Sequence, residues 1–597
     1  MKRVRFRLRT VLFGLLALFV AAFILVAVFQ KKVEPADLVL INGDIHTLDP
    51  SRPAARALVV KGNVIAAVCL TDGEARARVG SRTELVDLRG AFVLPGIIDG
   101  HVHFDKAGAL LNDANLLTVS GEEGLRREVR RVAGLLEAGE WITQGLWGAY
   151  EQWGLGDSGT SGGQGAKPPW RPHRRMIDDL TPNHPCFLCR FDSQEWLANS
   201  AALREAGLEE QPLEGMELGR DGKPTGIIFN PSPAFDRLRA AQKPKSHRRL
   251  LDENRAALKA LREAGIVEVH DIATPDQTDR FIELEERGEL TCRVWLRPDL
   301  SLGAELAGRG FAPGLHPKTR RPSGMLRYGA LKGYIDGIMG THGALFFEPY
   351  TDQPENYGHW RPHTSDDPEL KTGNMEKMYR LIRTGLDAGF VPNVHAIGDR
   401  GVAEMLDLYE RLKRETGRDL KGFRVIHAQV IRPEDFPRFK ALGVIAEVNP
   451  YHISDDMRWM EERIGHERCK GAYAFRSLVE NGARLCFGSD WPGTSAALYH
   501  MHPKYLIYAA VTRQTLTGRP AGGWFPEQRL SVEEAIRAYT LNNAYAAFED
   551  EARGSLQAGK LADITVFDRN LLKVAPGDIL RAEVLCTIVD GRMVFRK

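Results

Sequence analysis

Apolar residues are distributed along this chain in three textures. An unbroken 19-residue apolar run, Val11 to Phe29, stands near the start. From residue 36 to 96 the apolar residues come in short bursts, ADLVLINGDIHTL, RALVVKGNVIAAV and GAFVLPG, separated by Asn-Gly and Gly turns. That is the pattern of short strands joined by tight turns. The last 45 residues return to it in GKLADITVFD and EVLCTIVDGRMVF. Between these ends, apolar runs alternate with amphipathic helical stretches such as Leu381–Ala388 and Val402–Lys413. The predicted strands are VLPGIID (93–99), IVEVHDI (266–272), CRVWLR (292–297) and LRYGALKGYID (326–336). Four more follow: FVPNVHAI (390–397), FRVIHA (423–428), GVIAEVN (443–449) and ARLCFGSD (483–490). Eight strands in repeated β-then-α units predict a parallel sheet, most simply a (β/α)8 barrel.

The expected architecture is therefore α/β. A TIM barrel covers 94–550, with a long insertion at about 110–260 after its first strand. A small β-sandwich combines 33–93 with 551–597, so the two chain ends pair. The stretch Gly154–Gly165, GLGDSGTSGGQG, is too rich in Gly and Ser to pack and is expected to be a mobile loop.

Charge changes the picture at one end only. The 597 residues carry 80 basic and 78 acidic side chains, a net +2, with 43% hydrophobic and 26% charged residues. This is ordinary for a globular protein; it excludes a disordered, collagen-like or polytopic membrane chain and argues against a dedicated nucleic-acid binder. Residues 1–32, however, hold seven basic residues and no acid, leaving 73 basic against 78 acidic residues in the rest, net −5. At about 1.5 Å per residue the apolar run spans a hydrocarbon core of about 30 Å. It lacks a small-x-small cleavage site, which favours an uncleaved signal-anchor over a cleaved signal peptide or a buried core helix. Five positive charges precede the run and two follow it, so the body is expected outside the cytoplasm, periplasmic or extracellular. The seven cysteines make no disulfide framework. Cys186 and Cys189, in the apolar run CFLCR, read as core residues or one local disulfide rather than a metal site.

The candidate chemistry sits at strand ends. In His101-Val102-His103 the two imidazoles lie on one face of a strand, since residues i and i+2 share a side. Alone this is a weak signal that two loop histidines would also give. His395, His427 and Asp490 each end a further apolar strand, which brings all five groups to one barrel mouth. Imidazole and carboxylate together suit a divalent ion such as Zn²⁺.

At this point the sequence resembles the amidohydrolase superfamily, in its YtcJ-like branch (amidohydrolase family 3). The resemblance is carried by LPGIIDGHVHF (94–104), DGKPTGII (221–228), LKGYIDG (331–337) and VHAIGDRG (394–401). It continues through RVIHAQ (424–429), FGSDWP (487–492), AIRAYTLNNAY (535–545) and GSLQAGKLADITVFD (554–568), from about residue 36 to the C-terminus. It implies a metal-dependent hydrolase acting on a C–N bond in a small non-peptide amide, formamide or cyclic amide. The alternatives are another metal-assisted hydrolysis or hydration, of an ester or lactone, or a non-catalytic membrane-anchored regulatory protein. The implied ligands are His101, His103, Lys332, His395, His427 and Asp490, around one or two ions. Lys332 takes the fourth-strand place where a carbamylated lysine bridges two metals in many members; a salt bridge to Asp336 or another acid is the competing reading. Asp490 is the expected proton carrier, or a ligand only. His270, Asp336, His342 and His452 are weaker candidates for substrate contact. Gln194 joins them because it stands where the branch often has a histidine. Ile426 stands where a glutamate is common. Asp399 is expected to cap the helix beginning near Gly401. Oligomeric state is not legible; a homodimer is the commonest case.

Overall fold

The structure is a computed structural model that describes residues 34–148, 170–190, 193–493 and 500–597. Eight barrel strands are present. They are β1 (Ile97–Val102), β2 (Ile266–Asp271), β3 (Arg293–Leu296) and β4, in two segments, Leu326–Tyr328 and Ala330–Tyr334. The others are β5 (Val391–Ala396), β6 (Arg424–His427), β7 (Ile445–Val448) and β8 (Arg484–Phe487). All neighbours pair in parallel, in the order β1-β2-β3-β4 and β4-β5-β6-β7-β8. The ring closes where the Asp490 N–H donates to the His101 carbonyl at 2.8 Å and Val102 bridges to Trp491. Asn543 clamps the same seam: its Nδ2 donates to the carbonyls of Ile98 and Phe487 at 2.6 and 2.8 Å.

Two strands differ from the expected runs, each at a glycine. VLPGIID divides at Gly96: Phe92–Pro95 pairs with Ile564–Phe567 outside the barrel, and the barrel strand begins at Ile97. A Cβ at Gly96 would lie 2.4 Å from Val267, so the chain crosses β2 only with no side chain there. The fourth strand breaks at Gly329, where a Cβ would lie 2.0 Å from the Trp295 indole. Gly329→Ala is expected to destabilise the protein by about 1–3 kcal/mol, because a buried rigid ring must move. Denaturant unfolding checks this; an unchanged midpoint would show that Trp295 has room to yield.

Strands from both chain ends share one six-stranded sheet, in the order Arg592–Arg596, Val584–Val589, Ile564–Phe567, Phe92–Pro95, Asp44–His46 and Ala54–Ala55. A four-stranded sheet of Val64–Cys69, Ala57–Lys61, Leu38–Ile41 and Glu84–Asp87 packs against it through Leu38, Leu40, Leu58, Val60, Val93, Ile564 and Ile588. Buried charge joins this layer to the barrel. Arg293 on β3 bonds Asp563 at 2.8 and 3.0 Å and Asp590 at 2.8 Å. The stretch after β1 builds a further six-stranded sheet from Ala114–Asn115, Gln144–Trp147, Phe187–Arg190, Glu195–Ala198, Pro224–Phe229 and Met216–Leu218. Arg249 ties it to the barrel by donating to Asp113 and to the Trp141 carbonyl, both at 2.6 Å.

The membrane expectation is corrected. No helix among the described residues is long and apolar enough to cross a membrane, so the single-pass anchoring and the extracytoplasmic placement drawn from it are not supported. The run Val11 to Phe29 lies outside the described residues, as does the Gly154–Gly165 stretch. All seven cysteines are buried free thiols, which leaves Cys186 and Cys189 as core residues. Asp399 opens the helix Asp399–Thr416 rather than capping it, and its Oδ1 accepts from the Phe347 N–H at 3.0 Å.

Candidate metal centre

The centre forms where β1, β6, the turn after β7 and the turn after β8 meet. His101 lies within β1 and His103 just past it, at the start of the helix Phe104–Asn112. Gly488 makes this approach possible, since a Cβ there would sit 2.4 Å from the His101 Cβ. His427 ends β6 with φ of 70°, and Asp490 follows β8 with φ of 57°. Left-handed backbone at two non-glycine residues costs energy, and such strain concentrates at functional sites. Asp99 steadies the second turn: its carboxylate accepts from the Ser489 N–H at 2.8 Å and the Tyr539 hydroxyl at 3.0 Å.

Asp490 is the hub. Its Oδ1 lies 3.2 Å from His103 Nε2 and 3.4 Å from His101 Nε2; its Oδ2 lies 3.6 Å from His452 Nε2. Two groups of three have ligand atoms within 4.8 Å of one another: His101, His103 and Asp490, and His427, His452 and Asp490. Burial holds the His101 and His427 imidazoles well below their usual range, and His452 down to about 4. Burial alone would raise Asp490, but the surrounding imidazoles His101 and His103 hold it well below the usual carboxylate range. At neutral pH the site therefore presents neutral imidazole nitrogens around one ionised carboxylate.

Neighbouring acceptors aim two of the imidazoles. His101 Nδ1 lies 2.6 Å from Glu447 Oε1, and His427 Nδ1 lies 2.7 Å from Asn449 Oδ1. Each ring then turns Nε2 toward the shared centre. Metal-binding histidines are commonly oriented in this way by an acceptor on the other nitrogen. Lys332, on β4, is 1% exposed, and its Nζ has no hydrogen-bond partner among the described residues. Burial, with the Arg297 charge adding to it, lowers its pKa to about 7. The expected alternative, a salt bridge to Asp336, is absent. Asp336 instead accepts the N–H groups of Leu345, Ile397 and Gly398 at 2.9, 3.1 and 2.9 Å.

The remaining sequence candidates separate clearly. His395 joins neither ligand group; its ring stands 4.5 Å from His427, and its Nε2 is 3.3 Å from Asp336 Oδ1 without hydrogen-bond geometry. His270 and Asp336 are both 0% exposed and hydrogen-bonded within the barrel, and neither joins a ligand group. His270 Nδ1 accepts from Arg424 Nη1 at 3.0 Å. His342 pairs with Asp352 at 2.8 Å and with Arg463, outside both groups. Gln194 is exposed at the edge of the insertion sheet, where its backbone carbonyl accepts the Asn230 backbone N–H at 2.9 Å. His452, a weak candidate from sequence, enters a ligand group.

Sequence reasoning missed Glu447, Arg297 and Arg424. A charged residue inside each of the apolar runs GVIAEVN, CRVWLR and FRVIHA was the available signal.

The family model described as "Amidohydrolase family" matches residues 84–595. Protein LONG AFTER FAR-RED 3 of Arabidopsis thaliana is 31% identical over 94% of this chain and 92% of that one. The putative amidohydrolase YtcJ of Bacillus subtilis is 26% identical, over 93% and 99%. An N-substituted formamide deformylase of Arthrobacter pascens is 25% identical, over 94% and 98%. Among solved structures, an uncharacterized metal-dependent hydrolase from Pyrococcus furiosus superposes with a TM-score of 0.67 at 26% identity, covering 90% of this chain and all of that one.

Proposed function

The chain belongs to the amidohydrolase family, and from that premise we propose that it is a metal-dependent hydrolase of a C–N bond in a small non-peptide amide, formamide or cyclic amide. The observation that carries the reading is the pair of ligand groups sharing Asp490. The donor set fits a divalent ion such as Zn²⁺: neutral imidazoles, one carboxylate and acceptors that fix the rings. His101, His103, His427, His452 and Asp490 would hold it, as one ion or two. The ion would polarise a carbonyl and make a water acidic enough to ionise near neutral pH. Lys332, whose buried Nζ stands over the Tyr334 ring and makes no hydrogen bond among the described residues, is the candidate carbamate, which would add anionic oxygens to the donor set.

The protein's own residues supply the rest. Asp490 is ionised and close to three imidazoles, so its carboxylate takes the proton of the attacking water. It then delivers that proton to the departing nitrogen, which leaves as an amine or ammonia. The buried walls exclude bulk water and strengthen these charge interactions.

Elemental analysis of purified full-length protein, followed by an amide and formamide panel, tests the reading. The expected result is one or two equivalents of divalent metal and release of amine or ammonia. Turnover is expected to disappear on chelation and return with Zn²⁺. Absence of bound metal under mild purification would overturn the proposal. Lys332→Ala is expected to lower metal content; full occupancy in that variant would remove the carbamate.

A further inference from the structure

A chain of buried charges lies inside the barrel next to the metal centre. Glu447 is 0% exposed, at the inward face of β7. Its carboxylate accepts from Arg297 Nη1 at 3.0 and 3.1 Å and from Arg424 Nη1 at 2.7 Å, and its Oε1 lies 2.6 Å from His101 Nδ1. The two arginines come from the end of β3 and the start of β6, so three strands converge on one carboxyl group. Both arginines are completely buried. A carboxylate in such a place needs strong partners to stay ionised. Arg297 and Arg424 supply those partners, with three guanidinium N–H contacts reaching both of its oxygens. An ionised carboxylate can only accept, so the proton between it and His101 sits on Nδ1. Nε2 is then the lone-pair nitrogen, and it is the one that faces Asp490 at 3.4 Å.

We propose that Glu447, clamped by Arg297 and Arg424, is a positioning residue that locks His101 in its Nδ1–H tautomer and so presents Nε2 to the metal. The proposal rests on the metal reading above only for its consequence, not for the tautomer. Its neighbour across the sheet gives the arrangement a distinctive form. Ile426 on β6 is the register partner of Glu447, so the acid stands one strand over from an apolar residue. The paired arginines give the carboxylate a fixed orientation that a single hydrogen bond would not.

The test uses the full-length protein and two variants, Glu447→Gln and Glu447→Asp. Imidazole ¹⁵N NMR of metal-free protein reads the tautomer of His101, and titration with Zn²⁺ and Co²⁺ reads affinity and coordination. The wild type is expected to show His101 as Nδ1–H. Glu447→Gln is expected to give a mixed tautomer, a 10–100-fold weaker metal affinity and an altered Co²⁺ absorption spectrum. Glu447→Asp retains the charge for both arginines but withdraws the carboxylate by about 1.5 Å, one C–C bond. It therefore decides the matter even where Glu447→Gln fails to fold, and the same tautomer and affinity changes are expected. An Nε2–H tautomer in the wild type would overturn the proposal. So would Glu447→Asp with wild-type tautomer and affinity, even with lowered stability, since that would make Glu447 a structural counter-ion alone. Because the tautomer is read without metal or substrate, its outcome is independent of whether the amide panel succeeds.

Discussion

Asp490→Asn is expected to cut turnover by about 10²–10⁴-fold while leaving the fold intact, the range lost when a general acid–base group is removed. The substitution keeps size and shape. The Asp490 N–H bond to the His101 carbonyl that closes the barrel is backbone and survives. Asparagine is among the few residues that tolerate the left-handed conformation found here, so φ of 57° adds no new strain. What is lost is the negative charge that sits 3.2–3.6 Å from His103, His101 and His452. Without it, the hub loses its only carboxylate among the two ligand groups, and with it the proposed proton carrier. Metal affinity is expected to fall too, so turnover is measured at saturating metal. Recovery there would make Asp490 a ligand only, and unchanged turnover throughout would remove it from the chemistry.

Glu268→Ala is expected to give the largest loss of stability, about 3–5 kcal/mol. Glu268 is 0% exposed on β2. Its Oε1 accepts from Arg327 Nη2 at 2.8 Å and its Oε2 from Arg553 Nη1, while His270 Nε2 lies 3.4 Å away. Both arginines are 2% exposed, and both also meet Glu549. Removing Glu268 leaves two buried guanidinium groups on Glu549, with Asp563 3.9 Å from Arg553 as the one other acid paired with them among the described residues, and it loosens β2 from β4 and from the C-terminal segment together. The cost is that of uncompensated buried charge rather than of the contact itself. Chemical denaturation measures it. A change below about 0.5 kcal/mol, the size of an ordinary surface substitution, would show that water reaches the arginines.

The barrel was legible because its strands are short, fully buried apolar runs, which parallel sheets require on both faces. The same feature hid the strand ends. VLPGIID and LRYGALKGYID read as single strands, and nothing local marks Gly96 or Gly329 as more than a small residue. Their role depends on Val267 and Trp295, which belong to other strands. The site divides in a similar way. His101, His103, His427 and Asp490 were legible as polar groups ending apolar strands. His452 was weaker because it lies in a short helix, His452–Asp456, where a histidine has many ordinary uses. His270 and Asp336 also end or adjoin strands, yet they point into hydrogen-bonded framework.

The chain by itself determined the strand inventory, the helix periodicity and the residue types able to bind a metal, because those depend on side-chain chemistry and short spacings. Tertiary structure alone decided which histidines share Asp490, which acids are counter-ions and which carboxylate aims His101. Those outcomes depend on strand register and on groups hundreds of residues apart: His101 and Glu447 are separated by 346 positions and meet at 2.6 Å. A one-residue slip in a strand would turn every such side chain to the opposite face. The alternation of apolar and polar residues names the face, and only the closed barrel selects the neighbour.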